Sequence, residues 1–408
     1  YWMNEYKIDG FRFDFTKGFS NTLYYGADNW ASAYDASRIT ILKNYADHVW
    51  SNNPTNKPYV IFEHLSDNSE ETVLANYGIM LWGNMNQQFN EATMGYASNL
   101  SGLDFKKRNF PNAALIQYME SHDEERLMYK NVQYGASNGA YNVKTLNTAL
   151  SRMSAIGAVS LLVPGPKMIW HFSELGWDKS LWTCNNGNVS YSNPDCKLDT
   201  KPQPQWVENW VGNTARANVY NQWAKQIELR INENVFENGQ HAWNFSQTGR
   251  PRLDVWTSST PQSNLSYVFV LTNFSDATYN ASGGFPYTGN WVNLMDNSVV
   301  NVTSTTQNVS IEPGGYRIFG NQPATLSNPE NQITSVKLYP NPANNYFVIE
   351  GEISKAEIYS VTGQLVKSFD GVNTSDYQFD INDLTKGVYL VKAFDAQNRT
   401  KTMKLIKQ

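Results

Sequence analysis

No basic run longer than Lys106–Arg108 occurs in this sequence, and no apolar run approaches the length of a membrane span. The 32 basic residues are outnumbered by 37 acidic ones, for a formal net charge of −5. That balance offers no field for nucleic acid or an anionic lipid surface. The longest apolar stretch, Met153 to Val163, contains Ser and Gly and falls well short of the ~20 residues that cross a bilayer; it reads as a buried helix. Charged residues make up only 17%, so neutral substrates fit better than ionic ones. Cysteine is scarce, with only Cys184 and Cys196, and there are five histidines. No His-rich or Cys-rich spacing supports a transition-metal site. The opening residue is Tyr1, without the charged and apolar regions of a signal peptide, so a natural N-terminus is not expected here.

What is present suffices for a folded protein of two or three domains: 408 residues, 41% hydrophobic and 14% aromatic. Over residues 1–240 short apolar runs (IDGFRFDF, YVIFE, GIMLW, ALIQYME, PKMIW) alternate with helical stretches, the pattern of a parallel sheet or barrel. Between the first two runs, Ile39, Leu42, Ala46 and Val49 recur at helical spacing. Residues 241–320 change to short alternating runs split by Gly, Pro, Asn and Ser, an all-β module. Residues 321–331 (NQPATLSNPEN) read as a linker. Residues 332–408 carry further strand candidates, the makings of a small β-sandwich. Cys184 and Cys196 flank a loop-like segment, which invites a local disulfide if the protein is exported, two free thiols being the alternative.

In the run Ile8 to Asp14 side chains alternate, so Ile8, Gly10, Arg12 and Asp14 share one face and Phe11, Phe13 and Phe15 the other. An Arg and an Asp on the inward face of a barrel strand are costly unless they serve a site or pair structurally. The next strand stops at Glu63, and a third ends in MESHDEER with Glu120, His122, Asp123, Glu124 and Glu125. Carboxylates gathered at successive strand ends raise some pKa values and separate an acid from an anion. Glycoside hydrolysis requires such a pair.

The segments DGFRFD, FEH and MESHDEER resemble, in this order, the second, third and fourth conserved regions of the α-amylase family of glycoside hydrolases, and PGPKMIWHFSELG is similar to its eighth barrel strand. The resemblance implies an α/β fold, a partial TIM (β/α)8 barrel (units 4 to 8) with the family's all-β C-terminal domain. It also implies retaining cleavage of α-1,4-glucosidic bonds in starch-like α-glucans. Asp14 would be the nucleophile, Glu63 the general acid/base and Asp123 the carboxylate that holds sugar hydroxyls. Arg12 would orient Asp14, while His122 and Lys17 would contact substrate. A glucanotransferase or branching enzyme shares these carboxylates, and a non-catalytic glucan-binding surface protein is a further alternative. No cofactor is required for the chemistry. Structural calcium is possible in a complete enzyme, although Gly18 stands where calcium-dependent amylases often carry histidine, and metal ligands stay unassigned.

The last unit, with LYPNPANNYFVI, EIYSVTGQLV and LTKGVYLVKAF, resembles the C-terminal sorting domains of type IX secretion in Bacteroidetes-type bacteria. It implies the type IX secretion machinery as a partner and a secreted or surface-attached protein, which favours pairing of Cys184 with Cys196. Only thirteen residues precede Asp14, whose strand matches the family's fourth. Three barrel units are therefore expected to be missing, leaving this stretch poorly soluble and inactive alone.

Overall fold

The computed structural model describes residues 1–53, 55, 57–199, 208–244, 249–324, 336–361, 364–372, 377–396 and 400–408. The chain forms two compact units, Tyr1–Leu326 and Ser327–Gln408.

In the first unit five strands build one parallel sheet in chain order: β1 (Gly10–Phe13), β2 (Tyr59–Phe62), β3 (Met80–Asn84), β4 (Leu115–Tyr118) and β5 (Lys167–Met168). Gly10 pairs with Tyr59, Ile61 with Met80, Leu81 with Leu115 and Tyr118 with Met168. Parallel pairing in sequence order brings every strand's C-terminal end to one rim.

Between strands the chain turns into helices: α1 (Ala36–Ser51), α2 (Asn68–Tyr77), α3 (Asn86–Met94), α4 (Leu127–Tyr134) and α5 (Leu146–Leu162). The side chain of Asp35 accepts from Ser37 N and Arg38 N to start α1, and Asp67 accepts from Ser69 N to start α2. Such caps satisfy amides that a first helical turn leaves free. Gly78, at φ 102°, ends α2 in the left-handed region that glycine occupies without strain.

The period of two sorts the strand residues. Val60, Phe62, Leu81 and Leu115 face outward onto Ile39, Leu42, Ala46 and Trp50 of α1 and Leu74 of α2. Ile61, Met80, Trp82, Ile116, Tyr118 and Met168 line the inner face. Trp50 takes the buried place at the end of α1, with Val49 only partly covered. The alternation expected through Phe15 stops early: the strand ends at Phe13, and Phe15 adopts φ 44° with its ring exposed. PKMIW yields just two strand residues.

A sixth helix, α6 (Thr214–Asn232), lies against α5. From Arg152 to Leu162 every residue of α5 is buried, as the apolar run there predicts. Gly157 permits the crossing. A Cβ on it would sit 2.4 Å from Trp223 Nε1 and 2.6 Å from Gln226 Oε1. Those side chains instead donate to Met153 O at 2.7 Å and Ser154 O at 3.0 Å.

The β-rich segment that follows is a six-stranded antiparallel sheet between Gln240 and Gly320, with a two-stranded pair, Tyr279–Ser282 and Asn308–Ile311. Its Val255, Val268 and Ile318 join Ile156 and Val159 of α5 in one apolar cluster. Buried Arg152 also donates to Ala92 O at 2.9 Å and to Phe274 O, so the parallel-sheet segment and the β-module share a core. Part of the expected linker belongs here too. Asn321 Oδ1 accepts from Ser266 N and Tyr267 N at 2.8 and 2.9 Å, and Ala324 is buried. Residues 325–331 lie outside the described residues.

The second unit packs a three-stranded sheet and a four-stranded one around Phe347, Ile349, Ile358, Phe379, Val391 and Leu405. Its strands include Leu365–Asp370 and Gln378–Asp380.

Replacing Gly157 by Val should lower unfolding free energy by about 1–3 kcal/mol, because helix, Trp223 and Gln226 cannot all keep their places. Denaturant titration checks this, and an unchanged midpoint would contradict the close crossing.

Candidate active site

Arg12 is the centre of the rim. It projects inward from β1 and lies over the Trp82 ring, its guanidinium carbon 4.0 Å from the centroid. One arm, Nη1, pairs with Asp14 Oδ1, and the other, Nη2, with Glu63 Oε2 at 2.7 Å. Phe15 N also donates to Glu63 Oε2, at 3.1 Å. Two carboxylates from adjacent strands are thereby joined through one planar fork. The hydrogen bond from Arg12 holds the Asp14 carboxyl below the usual carboxylate range, outweighing slight desolvation.

Beneath these residues lies a buried network that short-range sequence patterns did not reveal. Arg38, on α1, donates to both oxygens of Glu70, on α2, at 2.7 Å each. It also donates to Lys17 O and Ala31 O at 2.8 Å. His64 Nε2 lies 2.9 Å from Glu70 Oε1, and its Nδ1 lies 3.0 Å from Thr16 Oγ1. Burial opposes charge on Glu70, yet the hydrogen bonds from His64 and Arg38 keep its pKa below the ordinary value. Glu71 beside it is pushed up by burial despite its pairing with Arg108. The network clamps the loops after β1 and β2, which carry Asp14 and Glu63.

The segment after β4 assigns each acid a separate place. Glu120 is buried against Arg126 Nη1 at 3.0 Å and Leu127 N at 2.6 Å. Burial pushes Glu124 up despite the hydrogen bond from Ser121; Asn84 Nδ2 also donates to it. Glu125 faces the loop beyond β5, accepting from Leu181 N at 2.8 Å and Ser180 Oγ at 2.6 Å. Asp123 stays half-exposed, with His122 Nε2 3.1 Å from Oδ2 and Lys197 Nζ 2.6 Å from Oδ1.

Trp82, Tyr118, His122 and Trp170 form a chain of neighbouring rings: the centroids of Trp82 and Tyr118 are 4.9 Å apart, and those of His122 and Trp170 are 6.0 Å apart. His171 is pushed down to about 4 by burial and by Arg126, and so is neutral near pH 7. Lys17 turns to Ser32 Oγ at 3.3 Å and Leu65 O at 3.4 Å rather than to a carboxylate. Cys184 and Cys196 form a disulfide. Among the described residues no group of three or more His, Cys, Asp or Glu side chains converges as a metal site.

Trp82 and Lys197 were not singled out from the sequence. The inward register of GIMLW could have flagged the first; the second is brought to Asp123 by tertiary structure alone.

Residues 337–408 match the family described as "Secretion system C-terminal sorting domain". The chain thus carries a type IX sorting domain, which addresses it to the secretion machinery, for secretion and attachment at the cell surface. No helix among the described residues is long and apolar enough to cross a membrane. No curated protein matches the chain by sequence. Among solved structures it is similar to AmyP in complex with maltose, at 13% identity over 80% of this chain and 66% of that one, with TM-score 0.54. It is also similar to an α-amylase from Anoxybacillus at 13% identity, covering 79% of this chain and 61% of that one, with TM-score 0.52. A pullulanase from Anoxybacillus sp. gives 13% identity, 78% and 44% coverage, and TM-score 0.51. At these identities the likeness is one of fold, that of the amylase-type barrel enzymes. The chain spans 38% of the length of a pullulanase from Bacillus acidopullulyticus and at most 66% of the others named here.

Replacing Arg12 by Met should raise the Asp14 titration midpoint back into the ordinary carboxylate range, since the group that lowers it is gone. NMR titration of the Asp14 carboxyl reads this directly, and an unmoved midpoint would show that Arg12 does not control it.

Proposed function

We propose that this chain supplies the catalytic carboxylates of a retaining glycoside hydrolase acting on α-1,4 links of starch-like α-glucans. The Arg12 fork carries the reading, because one guanidinium touches both Asp14 and Glu63. A shared guanidinium keeps the two carboxylates near each other, which is compatible with the roughly 5–5.5 Å pair of a retaining enzyme. Asp14, kept anionic by Arg12, attacks the anomeric carbon and forms a glycosyl ester. Glu63 protonates the departing glycosidic oxygen, then takes a proton from the water that hydrolyses the ester. To carry that first proton Glu63 gives up its contact with Arg12 Nη2. Asp123 accepts hydroxyls of the sugar, and Trp82 and Trp170 offer it aromatic faces. Calcium, if it binds, would play a structural part away from these steps.

The open sheet limits where turnover resides. Among the described residues β1 pairs with β2 alone, and the Asp14 side chain is 74% exposed, so the nucleophile stands at an open edge of the sheet. We therefore place activity in a form of the protein whose sheet is closed beyond β1. Tyr1–Gln408 expressed beside an N-terminally extended chain should release far fewer reducing ends from starch; equal specific activity would refute this.

In the active form, Asp14→Asn should abolish turnover while maltooligosaccharides still bind, and Glu63→Gln should lower kcat about 10²–10⁴-fold. Azide should rescue Glu63→Gln on an activated substrate. Near-native activity in Asp14→Asn would remove the nucleophile from its assigned role. Product chromatography separates hydrolysis from glucan transfer, which leaves the number of reducing ends nearly constant.

Deleting the residues after 331 should leave starch hydrolysis unchanged and abolish surface attachment in the producing cell. Loss of hydrolysis at unchanged thermal stability would contradict that division of labour.

A further inference from the structure

The loop beyond β5 is fastened beside Asp123 at several points. Its start is held by the two Glu125 bonds to Leu181 N and Ser180 Oγ, and Tyr191 OH lies 3.2 Å from Glu125 Oε2. Between these anchors the chain folds back on itself: Cys184 N donates to Asn188 O at 2.8 Å and Ser190 N to Trp182 O at 3.1 Å. The disulfide then ties the short helix Pro194–Asp199 to this hairpin through Cys196. The next residue is Lys197. Its ammonium lies 5.5 Å from the Trp182 ring centroid and donates to Asp123 Oδ1 at 2.6 Å.

An exposed Lys–Asp pair ordinarily contributes little, because ordering a long side chain offsets the Coulomb gain. Here most of that ordering is already supplied. The disulfide fixes the backbone from which Lys197 springs. Glu125 references the same loop to the segment that bears Asp123, two residues before it. With His122 at Oδ2 and Lys197 at Oδ1, both carboxylate oxygens are oriented.

We infer that Lys197 is a positioning residue that holds the Asp123 carboxylate for the sugar hydroxyls, and that the Cys184–Cys196 disulfide is its tether. This rests on the reading of Asp123 as the substrate-holding carboxylate. Reduction of the disulfide would then weaken substrate handling without touching Asp14 or Glu63.

Two measurements test it. The first does not depend on activity. A water-soluble carbodiimide should join Lys197 to Asp123 in the oxidised protein, detected as a linked peptide pair by mass spectrometry, and the yield should drop after reduction or in Cys184→Ser/Cys196→Ser. Absence of the link, or a yield indifferent to the disulfide, overturns the inference. The second is kinetic, in the active form. Lys197→Met should lower kcat/KM on maltooligosaccharides about tenfold or more, chiefly through KM, at unchanged thermal midpoint, and Lys197→Arg should restore most of it. Adding the two serine substitutions to Lys197→Met should lower the thermal midpoint but cost no further kcat/KM. Native kcat/KM in Lys197→Met, or an additive loss in the triple variant, overturns the positioning role. An N-terminally extended protein, otherwise unmodified, that fails to hydrolyse any α-glucan while still forming the link would instead defeat the functional reading of the site.

Discussion

The fork of Arg12 is the constraint on which the rim of the sheet depends. A guanidinium at the inner face of a parallel strand is costly to desolvate unless its donors are met. Here Asp14 and Glu63 meet its two Nη groups from two neighbouring strands, Nε finds no partner among the described residues, and Trp82 covers one face of the plane. The same contacts that satisfy the arginine set the spacing of the carboxylates, so placing charge on the strand and building the site are one event. The parallel register of β1 with β2 makes this possible, since it sets Arg12 beside Ile61 and leaves both acids just past the strand ends.

The acids around the rim are distinguished by what surrounds them. Glu70 is fully buried and meets Arg38 and His64. Glu120 is buried and meets Arg126. These hold loops in place. Asp14 and Asp123 face solvent on at least one side, and Glu63 is mostly covered. A carboxylate with all its lone pairs spoken for by the protein is scaffolding; one with an open side can meet a substrate.

Sequence patterning located all five parallel strands, the last only two residues long, and the buried α5; Val60, Phe62, Leu81 and Leu115 alternate cleanly with inward residues. It overran at Phe15, where the chain leaves the strand in a left-handed turn that no local pattern signals. Asp14 and Glu63 stood out because each is a carboxylate where an apolar run stops; among the four acids of MESHDEER, Asp123 is picked out by the family resemblance alone. Arg38, Glu70 and Lys197 did not. Each takes its importance from a partner tens of residues away, Glu70 from Arg38 and Lys197 from Asp123, and such pairings exist only once the loops are folded. Lys17 shows the converse: its motif position suggested the cleft, but its ammonium settles on Leu65 O and Ser32 Oγ. In the β-module the expected end of the domain came too early, since Asn321 closes the sheet through its side chain.

The central claim is that Asp14 becomes glycosylated while Arg12 holds it beside Glu63. A fluorinated α-glucosyl fluoride that forms the ester quickly and hydrolyses it slowly captures that species in the active form of the protein. Peptide mapping by mass spectrometry should find a single added glycosyl group on Asp14. A label on Glu63, or turnover of the reagent with no ester at Asp14, would contradict the account.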